Sequence, residues 1–337
     1  MQNLWNFELT TQNLQSMILH MASYSPKQNV LKIPGITAGL IKSLRPKQWT
    51  KNLIVYFALF FTINETWNAS DMSDLIDMFI KASVTFLLFC VLSSGIYIIN
   101  DLFDAESDRH HPIKKMRPIA SGKLPIFIAW PVSIIMIFIG ISMSFYLNHS
   151  LMFVSVIYVL SSILYSSIFR HVFILDVMLI STGFILRAVA GAVVLSVPIS
   201  PWLYACTGLG ALLIALCKRK SELLNSANIN FVQRKTLSQY KTSLLDMFIS
   251  IVAPSTLITY TLYTFTSPNL PSNHAMILTV PIVIYGLFRY LYLVHVRHEG
   301  ENPEDILVSD VPLMLSILFW LIISTLILIM FRSNIQI

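Results

Sequence analysis

At 337 residues the chain is long enough for two soluble domains, but 55% hydrophobic against 12% charged residues excludes a soluble composition. A mean hydropathy of +0.69 instead marks an integral membrane protein. The net charge of +6 does not imply a nucleic-acid partner, because the basic residues sit at the ends of apolar runs, where membrane topology accounts for them.

The first 44 residues mix Asn, Gln, Ser and a few apolar positions. They lack a basic start followed by a short apolar stretch and cleavage site, so no signal peptide is expected. They read as a cytoplasmic tail in which 11–23 is either a short surface helix or unstructured. From residue 45 to 337 the chain reads as one transmembrane domain, all-α, with nine spans at approximately 50–64, 79–100, 126–147, 150–169, 172–196, 201–217, 245–265, 275–296 and 311–331. Cys90, Cys206 and Cys217 lie inside these runs with no metal-ligand spacing, which argues against a disulfide framework or a zinc site.

Lysine and arginine are distributed asymmetrically. Lys27, Lys32, Lys42, Arg45, Lys47 and Lys51 precede or open span one, and Arg109, Lys114, Lys115, Arg117 and Lys123 follow span two. Arg170 follows span four, Lys218, Arg219, Lys220, Arg234, Lys235 and Lys241 follow span six, and Arg297 follows span eight. The alternate loops at 65–78, 148–149, 197–200 and 266–274 carry no Lys or Arg, and the first is acidic through Glu65, Asp71, Asp74 and Asp77. The positive-inside rule then places the N-terminus in the cytoplasm of an inner membrane and the C-terminus outside.

The end of span two carries Asn100-Asp101-Leu102-Phe103-Asp104-Ala105-Glu106-Ser107-Asp108. On a continuous helix Asp104 and Asp108 lie at about 300° and 340° from Asp101, so the three carboxylates share one face and Glu106 points elsewhere. They repel one another unless a cation intervenes, and hard oxygen donors suit Mg²⁺ held jointly with substrate phosphates. The plainer alternative is a solvated helix end paired with nearby cations. Downstream, Arg109, Lys115 and Arg117 stand in a loop stiffened by Pro112 and Pro118, a pattern suited to phosphate oxygens.

Other polar positions at this face have both a structural and a functional reading. Lys47 and Lys51, flanking Trp49, are either an interfacial anchor or a second phosphate contact. Asp176 and Arg187, about 20° apart after three helical turns, project from one side of span five. Arg187 lies deep in an apolar run, so it either pairs with an acid on another span or lines a polar cavity that Asp176 shares, where Asp176 would help hold metal or diphosphate. Tyr165 and Arg170 end span four, and Lys218-Arg219-Lys220 ends span six. His110, His111 and His298 lack metal-ligand spacing and read as loop residues.

The string Asn100-Asp101-x-x-Asp104-x-x-x-Asp108 at the end of the second span resembles the first aspartate motif of the UbiA superfamily of membrane prenyltransferases. Arg45-Pro46-Lys47-Gln48-Trp49-Thr50-Lys51-Asn52, Arg117-Pro118-Ile119-Ala120-Ser121-Gly122, Gly183 to Gly191 with Arg187 between them, and Lys218-Arg219-x-x-Glu222 resemble its decaprenyl-phosphate phosphoribosyltransferase branch. The resemblance implies a helical bundle with a cytoplasm-facing cavity, Mg²⁺ on Asp101, Asp104 and Asp108 with Asn100 as an outer partner, and a lipid substrate entering from the bilayer. It implies transfer of a phosphoribosyl group from phosphoribosyl pyrophosphate to a polyprenyl phosphate. One departure stands out: the superfamily's second motif, two acids four residues apart, is missing, since Val177-Met178-Leu179-Ile180 follows Asp176.

Two other readings compete. A prenyltransferase using a polyprenyl diphosphate donor and an aromatic or other small acceptor would share the first motif. A transporter would also place Asp and Arg within the membrane, but no related halves are visible. The sequence pattern of the CDP-alcohol phosphatidyltransferases is absent. The charge asymmetry predicts that Lys115→Cys is labelled from the cytoplasmic side and Asp71→Cys from the opposite side; labelling of both from one side would overturn the nine-span topology.

Overall fold

The structure, a computed structural model, describes residues 33–63, 71–198, 200–227, 236–267, 270–300 and 302–331. The proposed 11–23 helix and the basic residues Lys27, Lys32, Arg234 and Lys235 lie outside them. Among the described residues eight helices are long and apolar enough to cross a membrane. In chain order the helices are α1 (Ile33–Ser43), α2 (Phe57–Phe61), α3 (Met72–Phe103), α4 (Ala105–His110), α5 (Ile126–Leu147), α6 (His149–Ser167), α7 (Leu175–Leu195), α8 (Pro201–Ala227), α9 (Thr242–Thr266), α10 (Val280–His295), α11 (Pro303–Ser309) and α12 (Val311–Phe331). A 3-10 turn at Ala275–Thr279 runs into α10.

Phe138 on α5 and Met330 on α12 are 71% and 69% exposed, large apolar groups that an aqueous solvent would not tolerate in such number across a surface. Inside, two apolar clusters hold the bundle. One gathers Phe89 and Leu92 of α3, Leu151 and Tyr158 of α6 and Ala190 of α7. The other joins α7 through α10 and α12 around Leu216, Leu245 and Leu293. Asp71 caps α3 by accepting from Ser73 N–H at 2.9 Å, and Asn148 caps α6 by accepting from Ser150 N–H at 2.8 Å.

The first predicted span is the exception. Residues Pro46–Tyr56 form a 3-10 segment that leads into the five-residue α2, rather than one straight helix. It starts at Arg45, whose φ of 52° lies in the left-handed region, and Pro46 follows immediately. The segment presses against α7 at Gly191, where a Cβ would stand 2.0 Å from the Val55 carbonyl oxygen. Only glycine allows that approach. The predicted tail also differs from expectation: Ile33–Ser43 is helical, and Gly39 packs on the backbone of Lys123.

Helices α3 and α8 run beyond their predicted ends. The 32 residues of α3 exceed the roughly 20 that span a hydrocarbon core, and the excess brings Asn100 and Asp101 out to the loop face. The extended end of α8 carries Lys218, Arg219 and Glu222.

Candidate active site

The aspartates stand where α3 passes into α4. α3 ends at Phe103, α4 begins at Ala105, and Asp104 is the junction, although Asp104 N–H still bonds to Asn100 O at 3.0 Å and Asp108 N–H to Asp104 O at 2.8 Å. Asp104 keeps right-handed helical dihedrals, φ −89° and ψ −2°, and Asp101 and Asp108 stay close enough to share one guanidinium. Arg117 Nη1 donates to Asp101 Oδ1 at 3.1 Å and to Asp108 Oδ2 at 2.7 Å, bridging two buried carboxylates. Arg45 adds a second bond to Asp101 and stacks over Tyr97 at 5.2 Å. Asp104 instead pairs with Arg170. The loop cations thus neutralise a charge cluster that would otherwise be too costly to bury.

Asp176 and Arg187, expected on one side of span five, take separate partners. Asp176 is 1% exposed; its Oδ1 accepts from the Tyr240 hydroxyl at 2.6 Å and its Oδ2 from Arg219 Nε at 2.7 Å. Arg219 also reaches Glu222 and, at 3.4 Å, the Tyr165 hydroxyl. Burial, reinforced by the bond to Asp176, raises the Tyr240 phenol above its ordinary pKa, so it remains a donor. Both oxygens of Asp176 are therefore engaged in a clamp among α7, α8 and the loop before α9.

Arg187 has no acidic partner within salt-bridge distance among the described residues. Its guanidinium donates to Asn52 Oδ1 at 2.7 Å, Tyr158 Oη at 2.7 Å and Gly183 O at 2.8 Å, and lies over the rings of Tyr158 and Phe184. All these acceptors are neutral, so the charge is solvated without being cancelled and projects a positive potential into the bundle. Asn52 in turn donates to Cys90 Sγ at 3.3 Å.

Lys51 faces Glu304 at 3.8 Å, and Lys218 is half-buried on α8. Three expected substrate contacts stand apart: Arg109 pairs with Glu106 at 2.8 Å, Lys115 is exposed, and Lys47 is 87% exposed with Asp305 at 3.9 Å. Tyr158, Tyr240 and Glu304 had gone unnoticed in the sequence, and Arg45, Asn52 and Glu222 stood in its motifs without an assigned role. The one local signal was Asn52, an amide inside an apolar run.

The donors at the α3–α4 junction fit Mg²⁺ chemically. They are carboxylate oxygens, and Asn100 Oδ1 beside them is buried with no hydrogen-bond partner. Among the described residues no three Asp, Glu, His or Cys side chains converge on one point. A metal here would take one or two carboxylates and leave its other positions to substrate phosphates and water. An apolar cavity of about 280 Å³ lies between α8, α9, α10, α11 and α12, lined by Leu213, Val283, Tyr290, Pro303 and Trp320 among others.

The family model for the UbiA prenyltransferase family matches residues 55–309. The chain belongs to the UbiA prenyltransferase family. It is 32% identical over 297 residues to decaprenyl-phosphate phosphoribosyltransferase of Mycolicibacterium smegmatis, covering 85% of this chain and 91% of that one. Against the Corynebacterium glutamicum protein of the same name it is 30% identical over 316 residues, 92% of each chain. A UbiA homolog from Archaeoglobus fulgidus bound to GPP and Mg²⁺ superposes with a TM-score of 0.65 at 17% identity, covering 86% of this chain and 99% of that one. The protein is thus a UbiA-family membrane transferase, and the expected all-helical fold is borne out.

The clamp around Asp176 generates a stability prediction for this UbiA-family bundle. Removing one member of a buried ion pair strands the other, at about 3–5 kcal/mol. Asp176→Ala is expected to lower the thermal unfolding midpoint in detergent markedly and Tyr240→Phe less, since the latter loses the hydroxyl's bonds to Asp176 and to Ile174 N–H, about 1–3 kcal/mol, but leaves the Arg219 pair in place. Equal midpoints for wild type and Asp176→Ala would show that Arg219 is held by other means.

Proposed function

We propose that this UbiA-family protein transfers a phosphoribosyl group from phosphoribosyl pyrophosphate to the phosphate of a polyprenyl phosphate, at the cytoplasmic face of the inner membrane. The observation that carries the reading is the division of charge at the site. One carboxylate cluster stands at the α3–α4 junction, while a separate group of cations, Lys51, Arg187 and Lys218, comes from three other elements. A phosphoribosyl donor needs both, because it carries a diphosphate and a remote 5-phosphate. A prenyl diphosphate ends in an apolar tail and needs only the first. The engagement of both Asp176 oxygens, which leaves no second acidic motif, and the similarity to relatives named for this activity support the same choice.

Asp101, Asp104 and Asp108 would hold Mg²⁺ with the donor diphosphate, and Asn100 would support them. When bound, the metal offsets the charge that develops on the leaving diphosphate. Arg45, Arg117 and Arg170, now paired with those aspartates, are placed to turn to diphosphate oxygens once a metal takes the carboxylates. The attacking lipid phosphate is already ionised at neutral pH, so the protein need not supply a strong base. Its task is to hold the two anions in line and stabilise developing charge. The apolar cavity behind α10 supports an isoprenoid chain with water excluded.

The test is direct. Purified protein incubated with ribose-labelled phosphoribosyl pyrophosphate, Mg²⁺ and polyprenyl phosphate should carry label into the lipid phase, and EDTA should abolish the transfer. Retention of label in the aqueous phase, together with consumption of a prenyl diphosphate, would replace this reading with an ordinary prenyltransferase.

A further inference from the structure

Two buried polar atoms have no hydrogen-bond partner where the polar site meets the apolar cavity. One is the hydroxyl of Tyr290 on α10, a residue 8% exposed that lines the cavity. The other is Oε2 of Glu304, in the first turn of α11, directly after Pro303, which lines the same cavity. The Glu304 side chain is 11% exposed, and Lys51 Nζ stands 3.8 Å from Oε2, too far to hydrogen-bond to it. A phenol and a carboxylate oxygen buried without a hydrogen bond cost about 1–3 kcal/mol each until a ligand or water completes them, and Lys51 offers Glu304 only an ion pair.

The position is well fixed. Helix α11 packs on the Pro46–Tyr56 segment and on α12. The loop before it is pinned to α8 at Gly300, where a Cβ would come within 2.3 Å of Ser221 Oγ. Glu304 is therefore held beside Lys51, one residue from the Pro303 that shares the cavity wall with Tyr290.

The chemistry of the two atoms selects the ligand group. A carboxylate accepts and repels, so phosphate oxygens are excluded from Glu304. An isoprenoid chain offers nothing to either atom. A hydroxyl both donates to the carboxylate and accepts from the phenol. We propose that Glu304 and Tyr290 form the subsite for the ribose hydroxyls of the donor, and that they set the preference for a sugar-bearing donor over a prenyl diphosphate. The inference rests on the phosphoribosyl reading above and deepens it. A site built to bond a hydroxyl rejects the analogue that lacks it far more strongly than an apolar pocket rejects an extra group.

The experiment compares phosphoribosyl pyrophosphate with its 2-deoxy and 3-deoxy analogues, by KM and by equilibrium binding to the detergent-solubilised protein with Mg²⁺. Wild type should disfavour at least one analogue by about tenfold or more. In Glu304→Gln, affinity for the full donor should fall by a similar factor while the analogue suffers little further loss, because the two changes remove the same contact. Tyr290→Phe, which keeps ring and volume, should reduce the same discrimination by a smaller factor. If Glu304→Gln weakens donor and analogues equally, Glu304 only balances Lys51 and the subsite is refuted; unchanged affinities refute it as well. A wild type that ignores phosphoribosyl pyrophosphate and uses prenyl diphosphate would bring down the parent reading along with this one.

Discussion

Everything at the polar face of this bundle depends on how charge is paid for away from water. Asp101 and Asp108 are both 3% exposed, and two carboxylates buried close together are tolerable only because Arg117 bridges them and Arg45 binds the first. That bridge draws the loop after α4 onto the end of α3, and the Arg45 contact ties the broken first span to the same point. The pairs are balanced in a way that suits exchange: a divalent ion can replace an arginine on a carboxylate, and the freed arginine finds a phosphate.

The second half of the molecule uses the same device differently. At Asp176, Tyr240 and Arg219 occupy both oxygens, so the carboxylate is locked rather than exchangeable. On the proposed function the Asp101–Asp108 cluster takes the metal, and Arg187, whose charge no acid cancels among the described residues, is left for the substrate. A substrate with two separated anionic groups satisfies such a site better than one with a single diphosphate. The fold, the charge pattern and the family's chemistry meet at this point.

Much of this was legible in the sequence because hydropathy and charge are local. Apolar run lengths located eight of the spanning helices, and the Asn100 to Asp108 string marked the acidic cluster and the family. What composition does not encode is backbone direction. The 3-10 course of Pro46–Tyr56 follows from Arg45, Pro46 and the contact at Gly191, and the arginines that take the carboxylates, Arg117 on Asp101 and Asp108 and Arg170 on Asp104, come from loops whose course no periodicity gives. Partners distant in sequence were equally out of reach: Tyr240 meets Asp176 across 64 positions, and Arg187 meets Asn52 across 135. Arg187 was expected either to pair with an acid or to line a cavity, and its bonds to an amide, a phenol and a carbonyl arise from helix packing that no periodicity reveals.

The central claim is that the carboxylates of Asp101 and Asp108 are the place where a metal couples donor to protein. The most direct measurement is calorimetric titration of phosphoribosyl pyrophosphate into the purified protein, with Mg²⁺ and with EDTA, for wild type and Asp101→Asn. The account predicts at least about tenfold tighter binding with Mg²⁺ in wild type, near 1.4 kcal/mol, and loss of that increment in Asp101→Asn. An Asp101→Asn protein that remains folded and keeps the full Mg²⁺-dependent gain would contradict it.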